Sequence, residues 1–301
     1  MIGLVNYPFK KIIIIYNPKS TGDGEKNAVK LKQQLGNRLK GVETELIETE
    51  YSGHSEKLGR EYAQENKHVL LVSSSGDGGY NELVNGVLSV DSSDNVALCV
   101  LPSGNANDHY NAVSEDSVLD RIVAGRASKI DVLKVTAKRN GKPWSRYAHS
   151  YVGIGMTAYI GQKLTEARLN PLKEKWLVVK YLVLFRGETV KIHPEKKFCH
   201  YSSIVVSNID RMSKIIKLDQ TAEPNDGLAE LYTSRTKSPF GHIFTLLLGS
   251  TIGMKPVKKV ESIKLTSKHN VKIQCDGEVF TLDSQQQLRV SVASQKIATI
   301  L

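Results

Sequence analysis

The sequence predicts two domains, a three-layer α/β domain with a parallel sheet followed by a mostly antiparallel β-sandwich domain. Apolar runs alternate with helical stretches over residues 1–129, which is typical of a parallel sheet with crossover helices. A hairpin signal and several short alternating strands dominate residues 130–292, which indicates antiparallel sheets. The length of 301 residues is sufficient for two medium domains.

The first domain is predicted to consist of four strand–helix units. The strands are predicted over 12–16, 42–49, 69–72 and 96–101, where β-branched and other apolar residues dominate. The helices are predicted from an apolar stripe after residue 24, over 56–66, from Tyr80 onward and, more weakly, after 108. The last residues, 293–301, are expected to be able to pack back onto this domain.

Three of the predicted strands end in small and polar residues. These endings are Asn17-Pro18-Lys19-Ser20-Thr21-Gly22, Gly76-Asp77-Gly78-Gly79 and Pro102-Ser103-Gly104-Asn105-Ala106-Asn107-Asp108. The carboxyl ends of parallel strands form one edge of a sheet, where ligands bind. Glycines and helix N-termini suit phosphate groups, and the Asp77 carboxylate suits a magnesium-bound nucleotide. Gly-Asp-Gly alone is also typical of an ordinary turn. The prediction of a nucleotide site therefore depends on the convergence of three such loops at one edge of the sheet.

Two common nucleotide-binding motifs are absent from the sequence. It contains neither G-x-x-x-x-G-K-[ST] nor a true G-x-G-x-x-G, so neither a P-loop NTPase nor an NAD dehydrogenase is favoured.

Cysteine content and hydropathy indicate a cytoplasmic protein. The three cysteines, Cys99, Cys199 and Cys275, lack C-x-x-C spacing, which argues against a disulfide framework and a zinc site. No signal-peptide pattern is present at the N-terminus, and no apolar stretch reaches the roughly 18–20 residues that span a bilayer. We therefore expect a cytoplasmic protein that is soluble or peripheral at the inner face of the membrane.

The positive charge is concentrated in the second half of the chain. The net charge is +10, with 14 Lys and Arg against 17 Asp and Glu in residues 1–130 and 27 against 14 in residues 131–301. Anionic membrane is a natural partner for such a surface, whereas no nucleic-acid-binding module is recognisable. Segment 176–186, flanked by Lys173, Lys175, Lys180 and Arg186, is a candidate lipid or membrane face, although an amphipathic core helix with a solvated basic side is the favoured interpretation.

The second domain contains two Asp-Gly turns. Strand signals lie at 130–138, 147–152, 201–207, 228–233, 262–266, 271–274, 279–282 and 287–292, and helical signals at 157–186 and 238–250. Asn225-Asp226-Gly227-Leu228 precedes one strand, and Cys275-Asp276-Gly277-Glu278 separates two others. Both are compatible with simple turns.

Together the loops and turns resemble the catalytic-domain family of diacylglycerol and sphingosine kinases, specifically its small bacterial members. The family's motifs are matched in order by Asn17-Pro18-Lys19-Ser20, Gly76-Asp77-Gly78 with Glu82, Pro102 to Asp108, Asp131, Asp226-Gly227-Leu228 and Asp276-Gly277-Glu278. The chain departs from the family pattern at Thr21, Ser75, Gly79 and Asn105. These departures concern nucleotide affinity or identity more than the fold.

The resemblance implies a lipid kinase that uses ATP and Mg²⁺, with an active-site cleft between a nucleotide-binding domain, 1–129, and a lipid-substrate domain, 130–292. It implies Asp276 as general base, Glu278 as its partner and Asp77 as a catalytic residue at the magnesium site. Asp108 and Asp131 would support that site directly or through water, and Glu223, Asp226 and Leu228 would hold a structural metal. The implied nucleotide contacts are Asn17, Pro18, Lys19, Ser20, Thr49, Ser75, Gly76, Gly78, Gly79, Asn81, Gly104, Asn105 and Asn107.

Diacylglycerol, converted to phosphatidic acid, is the expected membrane-lipid substrate, with a sphingoid base, another glycerolipid or a prenol as alternatives. We expect peripheral contact with an anionic membrane and no nucleic-acid partner. A homodimer is compatible with the sequence, which does not fix the oligomeric state. A catalytically weak or inactive lipid- or nucleotide-binding relative and an NAD kinase-like enzyme remain the alternative functions.

Overall fold

The structure, a computed structural model, describes residues 5–6, 9–65, 68–91, 95–113, 116–167, 171–219 and 221–300. It divides into two compact units, with unit 1 comprising Met1–Val132 and Ser294–Leu301 and unit 2 comprising Leu133–Ala293. The boundaries lie inside two long strands, Arg126–Arg139 and Gln287–Ile300. The domain boundary predicted near residue 129 thus falls within a continuous strand.

Unit 1 alternates strands and helices along the chain, as predicted. Its elements are β1 (Val5–Asn6), β2 (Lys11–Tyr16), α1 (Gly24–Arg38), β3 (Glu43–Glu48), α2 (His54–Gln64), β4 (Val69–Ser75), α3 (Asp77–Leu88), β5 (Val96–Pro102), α4 (Asp108–Val113), α5 (Val118–Ala124) and the first part of β6 (Arg126–Arg139).

Four of these strands form a parallel sheet in the order β5-β4-β2-β3. The last strand of the chain, β19 (Gln287–Ile300), adds to its edge by pairing in parallel with β5 through Ala298 and Thr299. One sheet face packs with α1 and α5 in a shared apolar core. Helix α3 packs on β4 and β5. Residues that alternate with those of this core along the strands, such as Ile13 and Leu71, belong to the other face of the sheet and are fully buried. Unit 1 is thus a three-layer α/β structure.

The third strand and its helix are longer than predicted. Strand β4 continues through Ser73, Ser74 and Ser75, and α3 begins at Asp77 rather than Tyr80. The three serines are buried, and their hydroxyls are satisfied inside the protein, as in the 2.7 Å contact between the Ser73 and Ser75 oxygens. The expected glycine-rich loop is therefore one extended residue, Gly76, followed by a helix whose first turn contains Gly78 and Gly79.

Unit 2 is mostly antiparallel. It continues from β6 through β7 (Lys142–Ala148), β8 (Tyr151–Gly155), α6 (Met156–Ala167), α7 (Pro171–Leu184), β9 (Glu188–Ile192), β10 (Cys199–Tyr201), β11 (Ser203–Ser207), β12 (Arg211–Met212), β13 (Ile216–Lys217), β14 (Ala229–Ser234), α8 (Pro239–Thr251), β15 (Lys258–Val260), β16 (Ser262–Ser267), β17 (Val271–Cys275), β18 (Glu278–Leu282) and the first part of β19.

Two sheets of unit 2 share one apolar core. One sheet has the order β15-β14-β11-β8-β17-β18, and the other includes β10-β9-β16-β19 together with β6 and β7. Buried residues from both sheets, for example Ile154 and Ile273 from the first and Leu265 and Val290 from the second, form a single cluster. This is the β-sandwich that the alternating strands predicted. None of the helices in the described part of the chain has both the length and the apolar character needed to cross a membrane.

A buried carboxylate lies at one edge of the first sheet. Glu230 on β14 pairs across the strands with Lys259 on β15, and its side chain is 2% exposed. The Lys259 ammonium lies 3.2 Å from this carboxylate and 3.4 Å from that of Asp226. Burial raises the pKa of Glu230, and the Lys259 hydrogen bond opposes that rise. Lys259 therefore compensates a charge that the sheet would otherwise bury alone.

We expect Lys259→Met to lower the free energy of unfolding by about 1–3 kcal/mol at pH 7, because the buried Glu230 charge loses its cation. Since the folded-state pKa of Glu230 is then raised further, its protonated form is favoured in the folded protein. The deficit should shrink as the pH falls and Glu230 protonates. Urea unfolding at several pH values measures this, with Lys258→Met on the same strand as the control. An equal effect at every pH would contradict the assignment.

Candidate active site

The loop after β2, the start of α3 and the loop after β5 contact one another in unit 1. Ser103 joins them. Its backbone oxygen accepts hydrogen bonds from the Gly22 amide at 2.9 Å and from the Ser20 hydroxyl, and its amide donates to the Ser75 oxygen at 3.1 Å. The Asn27 side chain donates to the Gly22 oxygen at 2.8 Å and to the Ser103 hydroxyl at 3.0 Å. The expected convergence of three strand ends is present.

The chain passes closest to itself at Gly76 and Gly104. A Cβ atom on Gly104 would overlap the Cα of Gly76, and one on Gly76 would lie 3.1 Å from the Cα of Gly104. Because the obstructing atoms are backbone, no side-chain rotation could relieve the overlap. Glycine at these two positions therefore allows the ends of β4 and β5 to approach each other.

Asp77 begins α3 and binds the start of α4. Its two carboxylate oxygens accept hydrogen bonds from the backbone amides of Asp108, at 3.2 Å, and His109, at 3.1 Å. The charge thus lies at the N-termini of two helices, where the helix dipoles favour an anion. Sequence reasoning identified Asp77 as important but did not anticipate that its carboxylate holds α4 in place.

The predicted magnesium cluster is not assembled as a group of three carboxylates. Asp131 on β6 is fully buried, and its Oδ1 accepts a hydrogen bond from the Gln295 amide at 2.6 Å. Asp108 is also buried. Within the described residues, no three His, Cys, Asp or Glu side chains are grouped so that they could hold a metal ion. Backbone amides engage Asp77 and Asp131, so the magnesium site at Asp77, supported by Asp108 and Asp131 directly or through water, stays a prediction.

The remaining residues predicted to contact the nucleotide differ in their surroundings. Lys19 and Asn105 are exposed on their loops. The Asn17 Oδ1 atom accepts from the Lys19 amide at 2.9 Å, and the Thr49 hydroxyl donates to the Tyr16 oxygen at 3.2 Å, beside the same loop. Asn81 is fully buried, and its oxygens accept from the Asn85 side chain. Asn81 therefore faces the interior of unit 1, away from the solvent that a nucleotide would replace.

The Asn107 side chain organises the loop after β5. Its Oδ1 accepts from the Gly104 amide at 2.9 Å, and its Nδ2 donates to the Gly104 oxygen at 3.1 Å. Asn107 has a positive φ of 52°, a conformation that asparagine tolerates better than most residues. The residue thus shapes the loop, while Pro18 and Lys19 on the neighbouring loop are exposed to solvent.

Unit 2 contains a second group of polar residues, centred on Asp276. This residue and Gly277 have φ values of 46° and 94° and join β17 to β18, as a two-residue hairpin requires. The fully buried Asp276 carboxylate accepts hydrogen bonds from three consecutive backbone amides, those of His149 at 2.5 Å, Ser150 at 3.1 Å and Tyr151 at 2.9 Å.

His149 and Ser150 were missed by sequence reasoning. The His149 Nε2 atom lies 3.4 Å from Asp276 Oδ2, and its Nδ1 lies 2.8 Å from the Ser150 hydroxyl. Both residues are buried. Adjacent histidine and serine in a strand-like segment carry no signal of their own, so only the fold reveals this contact.

Glu278 is held by an arginine. Its Oε2 accepts from Arg146 Nε at 3.0 Å and Nη2 at 2.5 Å, and its side chain is 26% exposed. The neighbouring Cys275 is fully buried. Burial, followed by the Asp276 and Glu278 charges, raises the pKa of its thiol, which disfavours a thiolate nucleophile.

A lysine from the neighbouring strand β15, Lys259, contacts the predicted structural metal turn. The Asp226 Oδ1 atom accepts from the Leu228 amide at 2.9 Å, and its Oδ2 lies 3.4 Å from the Lys259 ammonium. The same ammonium binds Glu230, so a side-chain cation already neutralises this acidic turn. Glu223 is exposed, and no metal-holding group of three His, Cys, Asp or Glu side chains exists in the parts of the chain that the structure describes.

The structure describes the side chains of only part of the candidate lipid face at 176–186. Leu182 and Phe185 are buried, whereas Val183 and Leu184 are exposed, so the end of α7 has both a core side and a solvent side. The side chains of Lys173, Lys175 and Trp176 lie outside the described residues.

Two departures from the family pattern, Ser75 and Gly79, are physically coupled. A Cβ atom on Gly79 would overlap the Ser75 hydroxyl oxygen and lie 2.8 Å from the Ser75 Cβ. The Ser75 side chain therefore occupies the space that a side chain at position 79 would need. One change accommodates the other, and a hydroxyl remains in this part of the site.

We expect Gly79→Ala to lower the free energy of unfolding by about 1–3 kcal/mol, because the added methyl group overpacks against Ser75. In the Ser75→Gly background the same change should cost at least about 1 kcal/mol less. Urea unfolding of the four proteins in this double-mutant cycle measures the coupling. Gly36→Ala is the control, since a Cβ there meets nothing within 4 Å. An equal cost in both backgrounds would contradict the coupling.

Comparisons with known proteins agree with this architecture. Residues 11–135 match the family model of the diacylglycerol kinase catalytic domain. A diacylglycerol kinase of Staphylococcus epidermidis is 27% identical over 297 residues, which cover 89% of this chain and 86% of the relative.

Solved structures share the fold. The structure described as a putative diacylglycerol kinase from Bacillus anthracis has a TM-score of 0.72 at 20% identity, covering 97% of both chains. A yeast NADH kinase is more distant, with a TM-score of 0.54 at 10% identity over 97% of this chain and 83% of that one. The family match over residues 11–135 and the similarity to near full-length diacylglycerol kinases indicate a phosphotransferase, a kinase that acts on a hydroxyl group.

Proposed function

We propose that the protein is an ATP-dependent lipid kinase that transfers the γ-phosphoryl group of ATP to the hydroxyl of diacylglycerol, giving phosphatidic acid. The observation that carries the proposal is the contact of three strand-end segments through Ser103 and the Gly76–Gly104 approach. These segments lie inside the part of the chain that matches the kinase family. The choice of diacylglycerol follows the name of the relatives, such as the Staphylococcus epidermidis enzyme.

The nucleotide phosphates would bind at the start of α3 and the loop after β2. The first amides of a helix have no acceptor within the helix, and with the helix dipole they favour a phosphate group. Gly78 and Gly79 in the first turn of α3 present little steric obstruction, and the exposed Lys19 can add positive charge. Phosphoryl transfer depends mainly on positioning and charge neutralisation, and these groups would supply both.

Mg²⁺ would enter with the nucleotide. Magnesium usually keeps several waters and takes one or two protein carboxylates, so the absence of a three-residue metal group among the described side chains is compatible with it. Asp77, at the N-terminus of α3, is the carboxylate we assign to its water shell. When bound, the ion would neutralise phosphate charge.

Asp276 would be the general base that accepts the proton of the lipid hydroxyl. Three backbone amides hold its carboxylate in one orientation and stabilise its charge, which suits a base that must be ionised. The carboxylate is completely buried, so this role requires that the lipid hydroxyl reach it beside the 149–151 segment. Glu278, paired with Arg146, would support the turn that carries Asp276.

The proposal predicts transfer of radiolabelled phosphate from ATP to diacylglycerol in anionic mixed micelles, dependent on Mg²⁺. Asp276→Asn should lower the rate by about 10²–10⁴-fold, the usual contribution of a general base. Glu278→Gln, in the same turn but partly exposed, should lower it less. Because Asp276 is buried, the unfolding midpoint of each variant must be measured in parallel.

Four outcomes would change the proposal. Full activity of Asp276→Asn would exclude Asp276 as base and retain the kinase. An activity loss that follows only the loss of fold would make Asp276 a structural residue of the hairpin. No transfer to diacylglycerol would exclude it as substrate, and a sphingoid base, another glycerolipid, a prenol and NAD should then be tested. No transfer to any of these would favour a binding protein without activity.

A further inference from the structure

Helix α8 presents an apolar face to solvent. Its other side faces unit 2, where the buried His242 Nδ1 donates a 2.8 Å hydrogen bond to the Leu182 oxygen and the buried Gly249 packs beside Ile216. The outward residues follow helical spacing, with Phe240 83%, Phe244 65%, Leu247 56% and Leu248 38% exposed. The helix sequence, PFGHIFTLLLGST, contains no aspartate, glutamate, lysine or arginine, and its one titratable side chain is that of His242.

Neighbouring elements extend this apolar surface. Helix α8 packs against α7 and β13, and exposed apolar side chains occur on or next to both. Nine of the twelve exposed large hydrophobic residues in the described part of the chain belong to this region: Val183, Leu184, Ile215, Phe240, Phe244, Leu247, Leu248, Ile252 and Val257. Isolated exposed apolar residues need no explanation, but such a concentration marks a binding surface.

The charged residues that flank the helix in the sequence are of one sign. Every charged residue between Glu230 and Glu261 is basic, namely Arg235, Lys237, Lys255, Lys258 and Lys259. Lys214 and Lys217 lie in the hairpin that packs on α8. An apolar helix face with flanking basic residues has the chemistry of a segment that lies in the interface of an anionic membrane. A protein partner would not require this sign of charge, so we choose the membrane.

We propose that α8 is the membrane-docking element of this protein. Phe240, Phe244, Leu247 and Leu248 would enter the boundary between headgroups and acyl chains, while Lys255 and Lys258 contact anionic headgroups. The biological role of this docking rests on the proposed lipid kinase function, because the enzyme must bind a lipid substrate at a membrane surface. Binding to vesicles can nevertheless be measured without catalysis.

The test is co-sedimentation with vesicles of phosphatidylcholine, with and without phosphatidylglycerol. Phe240→Ser combined with Phe244→Ser should lower binding at least tenfold, because the apolar contribution is lost. Lys255→Gln combined with Lys258→Gln should lower binding only to the anionic vesicles and reduce its salt dependence. Val29→Ser combined with Tyr51→Ser removes exposed apolar side chains from unit 1 and should leave binding unchanged.

The outcomes separate docking from catalysis. Unchanged vesicle binding by the phenylalanine variant would overturn the inference. So would a dimer in the unmodified protein that this variant converts to a monomer in analytical ultracentrifugation, since the face would then bind a second copy of the chain. Phosphoryl transfer to a short-chain diacylglycerol dispersed in solution should survive the phenylalanine change. The unmodified protein could also bind vesicles but fail to transfer phosphate, while the phenylalanine variant loses vesicle binding. That result would reject the proposed function and retain the docking helix.

Discussion

The approach of two backbones at Gly76 and Gly104 is the constraint on which the candidate nucleotide site depends. It brings the ends of β4 and β5 so close that Ser103 can bind Ser75 on one side and Gly22 on the other. The loop after β2 is thereby tied to the same edge. Without this approach the three segments would be separate turns, and no surface of adjacent backbone amides would exist at the sheet edge.

Aspartates fix the positions of backbone segments in both units. Asp77 binds the first amides of α4, Asp131 binds Gln295, and Asp276 binds three consecutive amides. Each of these bonds satisfies amides that would otherwise be unpaired and stabilises the carboxylate charge. The same aspartates thus hold the backbone of each site in place and supply its negative charges. A chemical role for any one of them must be tested separately from its contribution to the fold.

Much of the architecture could be predicted from the sequence because the apolar periodicity is strong. The apolar runs of β2, β4 and β5 indicated the parallel sheet of unit 1, and the alternation in unit 2 indicated its antiparallel sheets. The polar end of β4 could not be found in this way, because Ser73, Ser74 and Ser75 are buried through hydrogen bonds that depend on distant residues such as Gly24 and Ser103. The C-terminal strand was predicted only as far as residue 292, although β19 continues to Ile300.

The residue types of the candidate site were easier to predict than their orientations. The motifs identified Asp77, Asp226 and Asp276, but a motif does not show whether a carboxylate faces solvent or a backbone amide. Lys259 illustrates the limit, since it lies 33 residues after Asp226 in the chain and reaches it only because β14 and β15 are adjacent. The coupling of Ser75 with Gly79 likewise follows from the junction of β4 and α3, where the predicted strand ended three residues too early and the predicted helix began three residues too late.

Hydrogen–deuterium exchange with and without Mg²⁺ and a non-hydrolysable ATP analogue tests the central claim most directly. If the joined strand ends bind the nucleotide, exchange should slow at the backbone amides of 17–24, 76–80 and 103–108. The ligand should leave the amides of α8 and β15 unchanged. Slowing confined to other segments, or none at saturating ligand, would contradict the account.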